Sequence, residues 1–438
     1  MVIAGTHSGV GKTTVATGLM AALHRRGARV GAAKVGPDFI DPGYHAVATG
    51  RPSRNLDAWM CGESAVVPIA ARAAAGCDLL IVEGVMGLFD GAAGGHEAST
   101  AHVAELLDAP VILVVDASAM SGSVAALVHG FSTFGPDQRI AGVVLNKVAS
   151  DSHEAMLLAA LVPLGIPVVG VLRRDDAVMW RDRHLGLVPV VEQPAEVGSA
   201  IDRLAAVVAA GCDLSAIEAI ARSAPATAAS PLDMPAAGPP ARVAVAAGRA
   251  FSFMYPDNVE ALAAAGAELV PFDPLCDAAL PEGSDALVIG GGFPEVYATH
   301  LAANQPLLAD VHRSVSAGLP TWAECGGLLW LCRTLDGQPM AGVVAADGRM
   351  TSRLSLGYRS VVTTAPSPIG APGTTVRGHE FHYSEVDPPG GALTVEARGA
   401  SSPAGFATPT LLASYVHVHL ATRPDLAAAF VGVATRRN

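Results

Sequence analysis

Up to about residue 187 the chain alternates short apolar runs with longer segments rich in Ala and Leu. The apolar runs are rich in β-branched residues and have the length of strands, whereas segments such as Thr13 to Arg26 and Thr100 to Leu107 have a helical pattern. The predicted strands are Val2–Ala4, Arg29–Lys34, Leu79–Glu83, Val111–Asp116, Ile140–Asn146 and Val168–Leu172. Continuously apolar strands separated by helices indicate a parallel sheet with helices on both faces.

A second alternating segment begins at Arg242, after a stretch rich in Pro, Ala and Ser that runs from Ser223 to Pro240. Such a stretch is typical of an exposed linker. The predicted strands beyond it are 242–246, 268–271, 286–289 and 320–323. We therefore predict an α/β protein with two domains. The predicted bounds are a first domain over 1–195, a helical segment and linker over 196–240, and a second domain over 241–438.

Size and charge limit the possible functions. A chain of 438 residues is too long for one ordinary core, and 51% hydrophobic residues are ample for two. The formal net charge of −12 argues against nucleic acid or an anionic membrane as the main partner. No apolar run reaches the roughly 18 residues of a membrane helix, and a strand beginning at Val2 leaves no room for a signal peptide. We expect a cytoplasmic protein without nucleic-acid or membrane partners.

The segment from Gly5 to Thr14, Gly-Thr-His-Ser-Gly-Val-Gly-Lys-Thr-Thr, has the pattern of a phosphate-binding loop between a strand and a helix. Backbone N–H groups around Gly9 and Gly11 are expected to surround phosphate oxygens, with Thr14 beside them. Lys12 is expected to neutralise the β- and γ-phosphates of ATP and Thr13 to bind Mg²⁺. The pattern departs from the strict motif at one position, where Thr6 replaces a glycine.

Acidic and amide residues follow the ends of other predicted strands, where ligands bind in parallel sheets. Asp38 and Asp41 come after the strand that ends at Lys34, and Asp90 closely follows Glu83. Carboxylates at these positions are candidates for binding Mg²⁺ and the substrate. Asn146 ends a further strand and is a candidate contact for the nucleotide base, with a plain strand terminus as the alternative.

Cys325 stands apart from the other five cysteines, which are expected to be small buried residues. It follows the predicted strand Pro320-Thr-Trp-Ala and precedes Gly326-Gly327, so it is expected on a sharp strand-to-helix turn. Such a turn presents a nucleophile, and the backbone of Gly290 to Glu295 is a candidate oxyanion hole. The thiol needs a base. His417 and His419 lie on one face of a strand, so spacing alone does not choose between them.

With these motifs the chain resembles the cobyrinic acid a,c-diamide synthase family, in its cobyrinate or hydrogenobyrinate form, over nearly its whole length. The carrying segments are Lys34-Val-Gly-Pro-Asp-Phe-Ile-Asp-Pro42, Val82-Glu-Gly-Val-Met-Gly-Leu-Phe-Asp-Gly91, Ala323-Glu-Cys-Gly-Gly327 and Ser414-Tyr-Val-His417. The first domain is similar to dethiobiotin synthetase, whose phosphate loop also lacks the first strict glycine. The second is similar to class I glutamine amidotransferase domains.

The resemblance implies a ligase of cobalamin biosynthesis. Cys325 would release ammonia from L-glutamine, ATP would phosphorylate the a- and c-acetate carboxylates of the macrocycle, and ammonia would displace phosphate. It implies Mg²⁺ binding by Thr13, Asp38 and Glu83, and substrate activation by Asp41 and Asp90. It favours His417 as the base. Class members usually place a glutamate two residues after this histidine, where this chain has His419, so a Cys/His dyad is implied.

Three other classes of protein share some of these motifs. A cobyric acid synthase would amidate other side chains of the ring with the same parts. A regulatory ATPase of the partition or septum-placement kind would usually have a second lysine early in the phosphate loop, and it would have no use for Cys325. An amidotransferase acting on another tetrapyrrole acid would share the motifs. A homodimer, the order of amidation and the presence of cobalt in the ring are left open by the sequence.

Overall fold

The structure, a computed structural model, describes residues 1–135, 139–174, 182–183, 186–226, 232–397 and 399–436. The chain divides after residue 231 into two compact units. None of the described helices is both long enough and apolar enough to cross a membrane.

In the first unit, strands and helices alternate as the apolar pattern predicts. The strands are β1 (Val2–Gly5), β2 (Val30–Val35), β3 (Arg54–Leu56), β4 (Leu79–Glu83), β5 (Val111–Asp116), β6 (Ile140–Val148), β7 (Val168–Arg173), β8 (Asp182–Arg183) and β9 (Gly186–Leu187). The helices are α1 (Lys12–Arg25), α2 (Asp41–Thr49), α3 (Ala58–Cys61), α4 (Glu63–Ala74), α5 (Thr100–Leu106), α6 (Ser123–Thr133), α7 (Asp151–Leu161), α8 (Pro194–Gly211) and α9 (Leu214–Arg222).

The strands of this unit form a parallel sheet in the order β3-β2-β4-β1-β5-β6-β7. Every residue of β1 and β2 is buried, which explains why these strands are apolar throughout instead of alternating. The predicted parallel α/β sheet is therefore confirmed. The short strand β3 was not predicted, because its sequence, Arg54-Asn-Leu, carries no apolar run.

Helices α8 and α9 belong to this first unit. Helix α8 packs closely on α1, because a Cβ at Gly18 would lie 2.5 Å from Val208 Cγ2. Part of the predicted linker, residues 227–231, lies outside the described residues. The parts on either side, 223–226 and 232–240, contain no helix or strand.

The second unit combines a parallel sheet with an antiparallel one. Its strands are β10 (Ala241–Ala246), β11 (Phe251–Phe253), β12 (Ala267–Phe272), β13 (Ala286–Ile289), β14 (Gly291–Gly292), β15 (Thr321–Glu324), β16 (Thr334–Leu335), β17 (Gln338–Pro339), β18 (Asp347–Thr363), β19 (Thr375–Asp387), β20 (Leu393–Ala397), β21 (Ala400–Ala404), β22 (Phe406–Thr408), β23 (Leu411–Ser414) and β24 (His417–Val418). Its helices are α10 (Pro256–Ala264), α11 (Ala298–Ala303), α12 (Gln305–Ser316), α13 (Gly326–Leu331) and α14 (Pro424–Thr435).

The parallel sheet has the order β12-β10-β13-β15-β23-β22, with only β22 antiparallel to its neighbour among the described strands. The antiparallel sheet is built on the long hairpin of β18 and β19, and β24 pairs with β19. Strand β24 follows β23 in the chain after two residues, so it brings the second sheet to the carboxyl edge of the first. This hairpin was not predicted, since its strands carry polar residues at buried as well as exposed positions and so lack a continuous apolar run.

Two candidate active sites

The phosphate loop joins the end of β1 to the start of α1. Gly9 and Gly11 have φ angles of 82° and 98°, a region that favours glycine. Lys12 is buried, and its Nζ donates a hydrogen bond to the carbonyl oxygen of His7 at 3.1 Å, while Thr14 follows in the first turn of α1 and is half-buried. The strand–loop–helix geometry predicted for this segment is therefore present.

Asn146 lies against this loop. Its Nδ2 donates to the carbonyl oxygen of Val10 at 2.9 Å, and its Oδ1 accepts from the Lys147 N–H at 2.9 Å. A Cβ at Gly11 would lie 2.3 Å from the same Nδ2 atom. Both ends of the amide thus contact protein backbone, so in this structure Asn146 holds the phosphate loop in place.

Lys34 lies at the centre of a buried charge cluster. Its Nζ contacts Asp41 Oδ2 at 2.7 Å and Glu83 Oε1 at 2.8 Å, and it donates to the carbonyl oxygen of Gly84 at 3.1 Å. Lys34 and Glu83 are opposite each other in the parallel pair β2–β4, near the carboxyl ends of both strands. The Thr13 hydroxyl donates to Glu83 Oε1 at 2.7 Å. The sheet edge therefore joins the phosphate loop to two acidic segments that are distant in sequence.

The other carboxylate oxygen of Glu83 contacts a residue that the sequence did not point to. His45 Nε2 lies 2.6 Å from Glu83 Oε2, and His45 Nδ1 lies 3.2 Å from the Ser53 hydroxyl. His45 and Glu83 are both completely buried. An isolated histidine within a helix carries no motif, so the sequence offered no signal for this contact.

The pKa values in this cluster follow from burial and the Lys34 charge. Burial acts to raise the pKa of Glu83, but the Lys34 ammonium and the His45 hydrogen bond lower it well below its usual range. Burial and the neighbouring Asp38 raise the pKa of Asp41. Burial, followed by the Lys34 charge, lowers the pKa of Lys12 to about 8. Glu83 is therefore the anionic partner of Lys34 in this structure.

The remaining predicted acids lie at the border of this cluster. Asp38 Oδ1 accepts a hydrogen bond from the Ile40 N–H at 2.7 Å, and its side chain also contacts Asp41. Asp90 is exposed, and its Oδ2 accepts from the Gly87 N–H at 2.8 Å. Asp90 nevertheless lies near enough to raise the pKa of Lys12, against the stronger effect of burial.

Oxygen atoms that suit Mg²⁺ converge on Thr13. Its hydroxyl lies 2.7 Å from Glu83 Oε1 and 3.3 Å from Asp41 Oδ2. Hard oxygen donors of this kind fit Mg²⁺, which usually takes few protein ligands together with nucleotide phosphates. Within the described residues there is no cluster of three or more His, Cys, Asp or Glu side chains arranged to hold a metal. The protein ligands would therefore need phosphate oxygens to complete the coordination.

In the second unit, Cys325 occupies the turn between β15 and α13. Its φ of 50° and ψ of −102° are unusual for a residue with a side chain, as expected for a nucleophile on a sharp turn. The glycines after it allow close packing, because a Cβ at Gly327 would lie 2.5 Å from the carbonyl oxygen of Ile289. A Cβ at Gly326 would lie 3.1 Å from the Gly292 nitrogen. The predicted turn is thus present, next to the backbone of the Gly290–Gly292 segment.

The structure places His417 beside Cys325. The thiol hydrogen-bonds the His417 ring, and a Cβ at Gly291 would lie 2.5 Å from His417 Cε1. On its other side, His417 Nδ1 lies 3.4 Å from Glu324 Oε2. Burial acts to lower the pKa of His417, but Cys325 and Glu324 raise it to about 10. The expected pairing of cysteine and histidine is joined by a carboxylate that the sequence did not identify.

His419 has different neighbours. Its ring packs on Tyr255 with centroids 4.6 Å apart, and its Nε2 lies 4.0 Å from Asp257 Oδ2. Its Nδ1 accepts a hydrogen bond from the Ala421 N–H at 3.3 Å. The prediction that the two histidines share a strand face was wrong, because β24 ends at Val418 and His419 lies beyond it. His417 is the histidine whose ring contacts Cys325.

Strands β18 and β19 contribute polar residues beside His417. Arg359 Nε donates to Glu380 Oε2 at 2.8 Å, and His382 stacks on Tyr415 with ring centroids 3.7 Å apart. His379 lies opposite His417 in the β19–β24 pair. Burial, then the His417 charge, lowers the pKa of His379 to about 3.

Both units match known protein families. Residues 1–187 match the CobQ/CobB/MinD/ParA nucleotide binding domain, and residues 242–425 match the CobB/CobQ-like glutamine amidotransferase domain. The two matches fall on the unit with the phosphate loop and the unit with Cys325.

Similar proteins span the whole chain. The hydrogenobyrinate a,c-diamide synthase of Streptomyces coelicolor is 52% identical over 98% of this chain and 96% of its own length. The protein of the same name from Thermobifida fusca is 49% identical over 100% of this chain and 97% of its own. A cobyrinate a,c-diamide synthase from Syntrophotalea carbinolica is 45% identical over 98% of this chain and 97% of its own.

Proposed function

The chain belongs to the family of cobyrinate and hydrogenobyrinate a,c-diamide synthases, and on this basis we propose that it amidates the a- and c-acetate carboxylates of hydrogenobyrinate. It is an ATP-dependent, glutamine-hydrolysing amide ligase of cobalamin biosynthesis. The observation that carries the proposal is that one chain holds a phosphate loop with its acidic cluster and a cysteine on a strand-to-helix turn in contact with a histidine. The first can activate a carboxylate and the second can supply ammonia.

In the first unit, the proposed step is transfer of the γ-phosphate of ATP to a ring carboxylate. The backbone of the loop around Gly9 and Gly11, with Lys12, would bind the phosphates. Ammonia then attacks the carbonyl carbon of the acyl phosphate, phosphate leaves, and the amide forms. Phosphate is a far better leaving group than oxide, which is the reason for spending ATP. Asp41 and Asp90 are proposed to act on the substrate carboxylate and ammonia, and a second round on the other acetate completes the diamide.

Thr13 and Glu83, with Asp38, are proposed to hold Mg²⁺ together with ATP. When bound, the ion would neutralise charge on the phosphates as one of them is transferred. Because Asp41 Oδ2 lies 3.3 Å from the Thr13 hydroxyl, Asp41 is a further candidate ligand. Lys34 would keep the cluster of carboxylates from carrying excess negative charge before the nucleotide arrives.

In the second unit, Cys325 is proposed to attack the side-chain amide of glutamine. A C–S bond forms, and His417 gives a proton to the departing nitrogen, which leaves as ammonia. Water then attacks the thioester with His417 as base, so that glutamate leaves and the thiol is restored. Backbone N–H groups of the Gly290–Gly292 segment and of Gly326 are proposed to stabilise the oxyanion.

Hydrogenobyrinate is proposed over cobyrinate because the relatives with that name that we compared are 49% and 52% identical, against 45% for the one named for cobyrinate. None of these three relatives is named a cobyric acid synthase, so they do not favour that alternative. Since ATP and glutamine are drawn from the cytoplasmic pool, we place the proposed reaction there. A homodimer stays a prediction, which native mass spectrometry would test.

The deciding experiment is mass spectrometry of the products from ATP, Mg²⁺ and glutamine with either hydrogenobyrinate or cobyrinate. Each replacement of OH by NH₂ lowers the mass by about one unit. Two such steps with hydrogenobyrinate, and slower or no conversion of cobyrinate, would support the proposal. Faster conversion of the cobalt-containing ring would mean that cobyrinate is the substrate. Four amidations would favour a cobyric acid synthase. No conversion of either ring would refute the proposed function.

A further inference from the structure

Glu324 contacts both the ring and the strand of the proposed base. Its Oε2 lies 3.4 Å from His417 Nδ1, and its Oε1 accepts a hydrogen bond from the N–H of Val418 at 3.3 Å. One carboxylate therefore touches the imidazole and the next residue of β24. This arrangement restrains both the orientation of the ring and the position of the strand that carries it.

The position of Glu324 in the chain couples it to the nucleophile. It is the last residue of β15, and Cys325 follows directly in the strained conformation of the turn. The turn that directs the thiol to one side of His417 thus places the carboxylate on the other side. The same backbone segment fixes both neighbours of the imidazole.

Glu324 lies in surroundings where a negative charge without a partner is unfavourable. It lines a cavity whose other walls include Met254, Trp322 and Leu420, and its side chain is 12% exposed. A carboxylate in such a setting gains little from water and is costly without a cationic or hydrogen-bonding partner. The protonated ring of His417 contacts Glu324 and is the cationic partner of its carboxylate.

We propose that Glu324 is the positioning residue of a Cys325–His417–Glu324 triad, in which the carboxylate is supplied by the residue immediately before the nucleophile. This inference rests on the proposed glutaminase reaction at Cys325. The carboxylate holds the imidazole with its Nδ1 proton toward Glu324, which leaves the other ring nitrogen for the thiol. It also stabilises the imidazolium that forms when the thiol gives up its proton. The dyad expected from the sequence thus becomes a triad.

The other groups that face His417 do not duplicate this role. Cys325 lies on the nucleophile side, and the strand paired with β24 contributes His379, with His382 also near. Burial lowers the pKa of His379 to about 3 and that of His382 to about 4, so both are neutral at physiological pH. Arg359, which acts on both of these histidines, is paired with Glu380. Glu324 is therefore the carboxylate that directly supports a positive charge on His417.

The test compares Glu324→Gln with Glu324→Asp in the full chain. Gln keeps the shape and an oxygen for the Val418 N–H but removes the charge, whereas Asp keeps the charge on a shorter side chain. Asp257→Asn, which alters the carboxylate nearest His419, is the matched control. Each variant is assayed for glutamine hydrolysis, for synthesis with ammonium chloride, and for the pH range over which iodoacetamide alkylates the Cys325 peptide.

For Glu324→Gln we expect kcat for glutamine hydrolysis to fall by about 10- to 100-fold with KM little changed. Ammonia-dependent synthesis should persist. Alkylation should require a higher pH, since the imidazolium loses its supporting charge and less of the thiol is then held as thiolate. Glu324→Asp should restore part of the rate and of the range, and Asp257→Asn should leave the range unchanged.

Two results would overturn the inference. One is a Glu324→Gln protein with the rate and alkylation range of the unaltered chain. The other is an equal loss of glutamine- and ammonia-dependent synthesis together with a lower Tm and an unchanged alkylation range, which would mean a structural role. The unaltered chain serves to test the proposed function separately. If it amidated neither ring with ammonia, the proposed function would fail, while the alkylation range would still report on Glu324.

Discussion

His379 lies directly opposite His417 in the antiparallel pair β19–β24, and the two buried histidines have opposite tendencies to bind a proton. Contacts with Cys325 and Glu324 outweigh burial and raise the pKa of His417 to about 10. Burial and the His417 charge lower the pKa of His379 to about 3. The fold thus concentrates positive charge on the histidine that contacts the thiol and keeps its cross-strand neighbour neutral.

This difference predicts a loss of stability in acid. In the unfolded chain His379 takes up a proton below its ordinary pKa of 6.5, but in the folded chain it does so only near 3. The unfolded state therefore binds more protons at this histidine between these values. The contribution of His379 to stability is full above about pH 6.5 and is lost as the pH falls toward 3. The slope contributed by this histidine is at most about 1.4 kcal/mol per pH unit.

Urea unfolding of His379→Gln between pH 7 and 5 should show a shallower pH dependence than the unaltered chain. His129→Gln, at an exposed histidine, should not.

Cys325→Ser should separate the two halves of the reaction. We expect glutamine-dependent synthesis to fall by at least about a thousandfold, because serine at this position lacks a nucleophile of comparable reactivity. Synthesis with ammonia should continue, since the phosphate loop lies in the other unit. Cys276→Ser, at an exposed cysteine, is the control and should retain both activities. A serine variant that still used glutamine fully would show that Cys325 is not the nucleophile.

The histidines 417 and 419 should behave differently on substitution. His417→Asn should lower glutamine hydrolysis by at least about a hundredfold and leave ammonia-dependent synthesis. His419→Asn should keep most of the hydrolysis but lower the free energy of unfolding by about 1–3 kcal/mol, because it removes a buried ring packed on Tyr255. Steady-state ammonia release and urea denaturation measure the two effects. The reverse pattern would make His419 the base.

Removal of the Lys34 charge should destabilise the first unit and abolish synthesis with either nitrogen source. Lys34→Met leaves Glu83 and Asp41 buried without their ammonium partner, a change expected to cost about 3–5 kcal/mol in unfolding free energy. The double variant Lys34→Met/Glu83→Gln should be less destabilised than the sum of its two single variants, since the unpaired charge is then gone. Additive effects in urea unfolding would contradict a direct interaction of these residues.

Two glycines of the phosphate loop should differ in their response to alanine. The Cβ of Gly9→Ala would have no atom within 4 Å, so the only cost is that of a left-handed backbone, about 1–2 kcal/mol. If this cost falls on ATP binding, the Kd for ATP should rise roughly tenfold. Gly11→Ala also brings a methyl group against Asn146 Nδ2, so its rise in Kd should be larger, about a hundredfold or more. Titration calorimetry compares them. Asn146→Ala alone should weaken ATP binding, because Asn146 holds the loop, but Gly11→Ala should cost less affinity in that background than in the unaltered chain. An equal cost in both backgrounds would argue against this contact as the cause.

The sequence determined the elements whose signal is local. Buried parallel strands are continuously apolar, so β1, β2 and β4 could be read from the chain, and the phosphate loop and the Cys325 turn are contiguous motifs whose glycines specify the backbone. The hairpin of β18 and β19 has no such signal, because polar residues occupy buried as well as exposed positions in it. The pairing of Arg359 with Glu380 and the position of His379 opposite His417 therefore could not be predicted from the sequence.

Only the tertiary structure decided which side chains meet. Lys34, His45 and Glu83 come from different elements, and their contact depends on strand order and register, which a single sequence does not encode in any local pattern. The same reason applies to the contact of His417 with Cys325, which no local pattern required, and to the contact of Glu324 with His417. Motifs specify chemistry one segment at a time, whereas packing of distant segments sets the distances on which that chemistry depends.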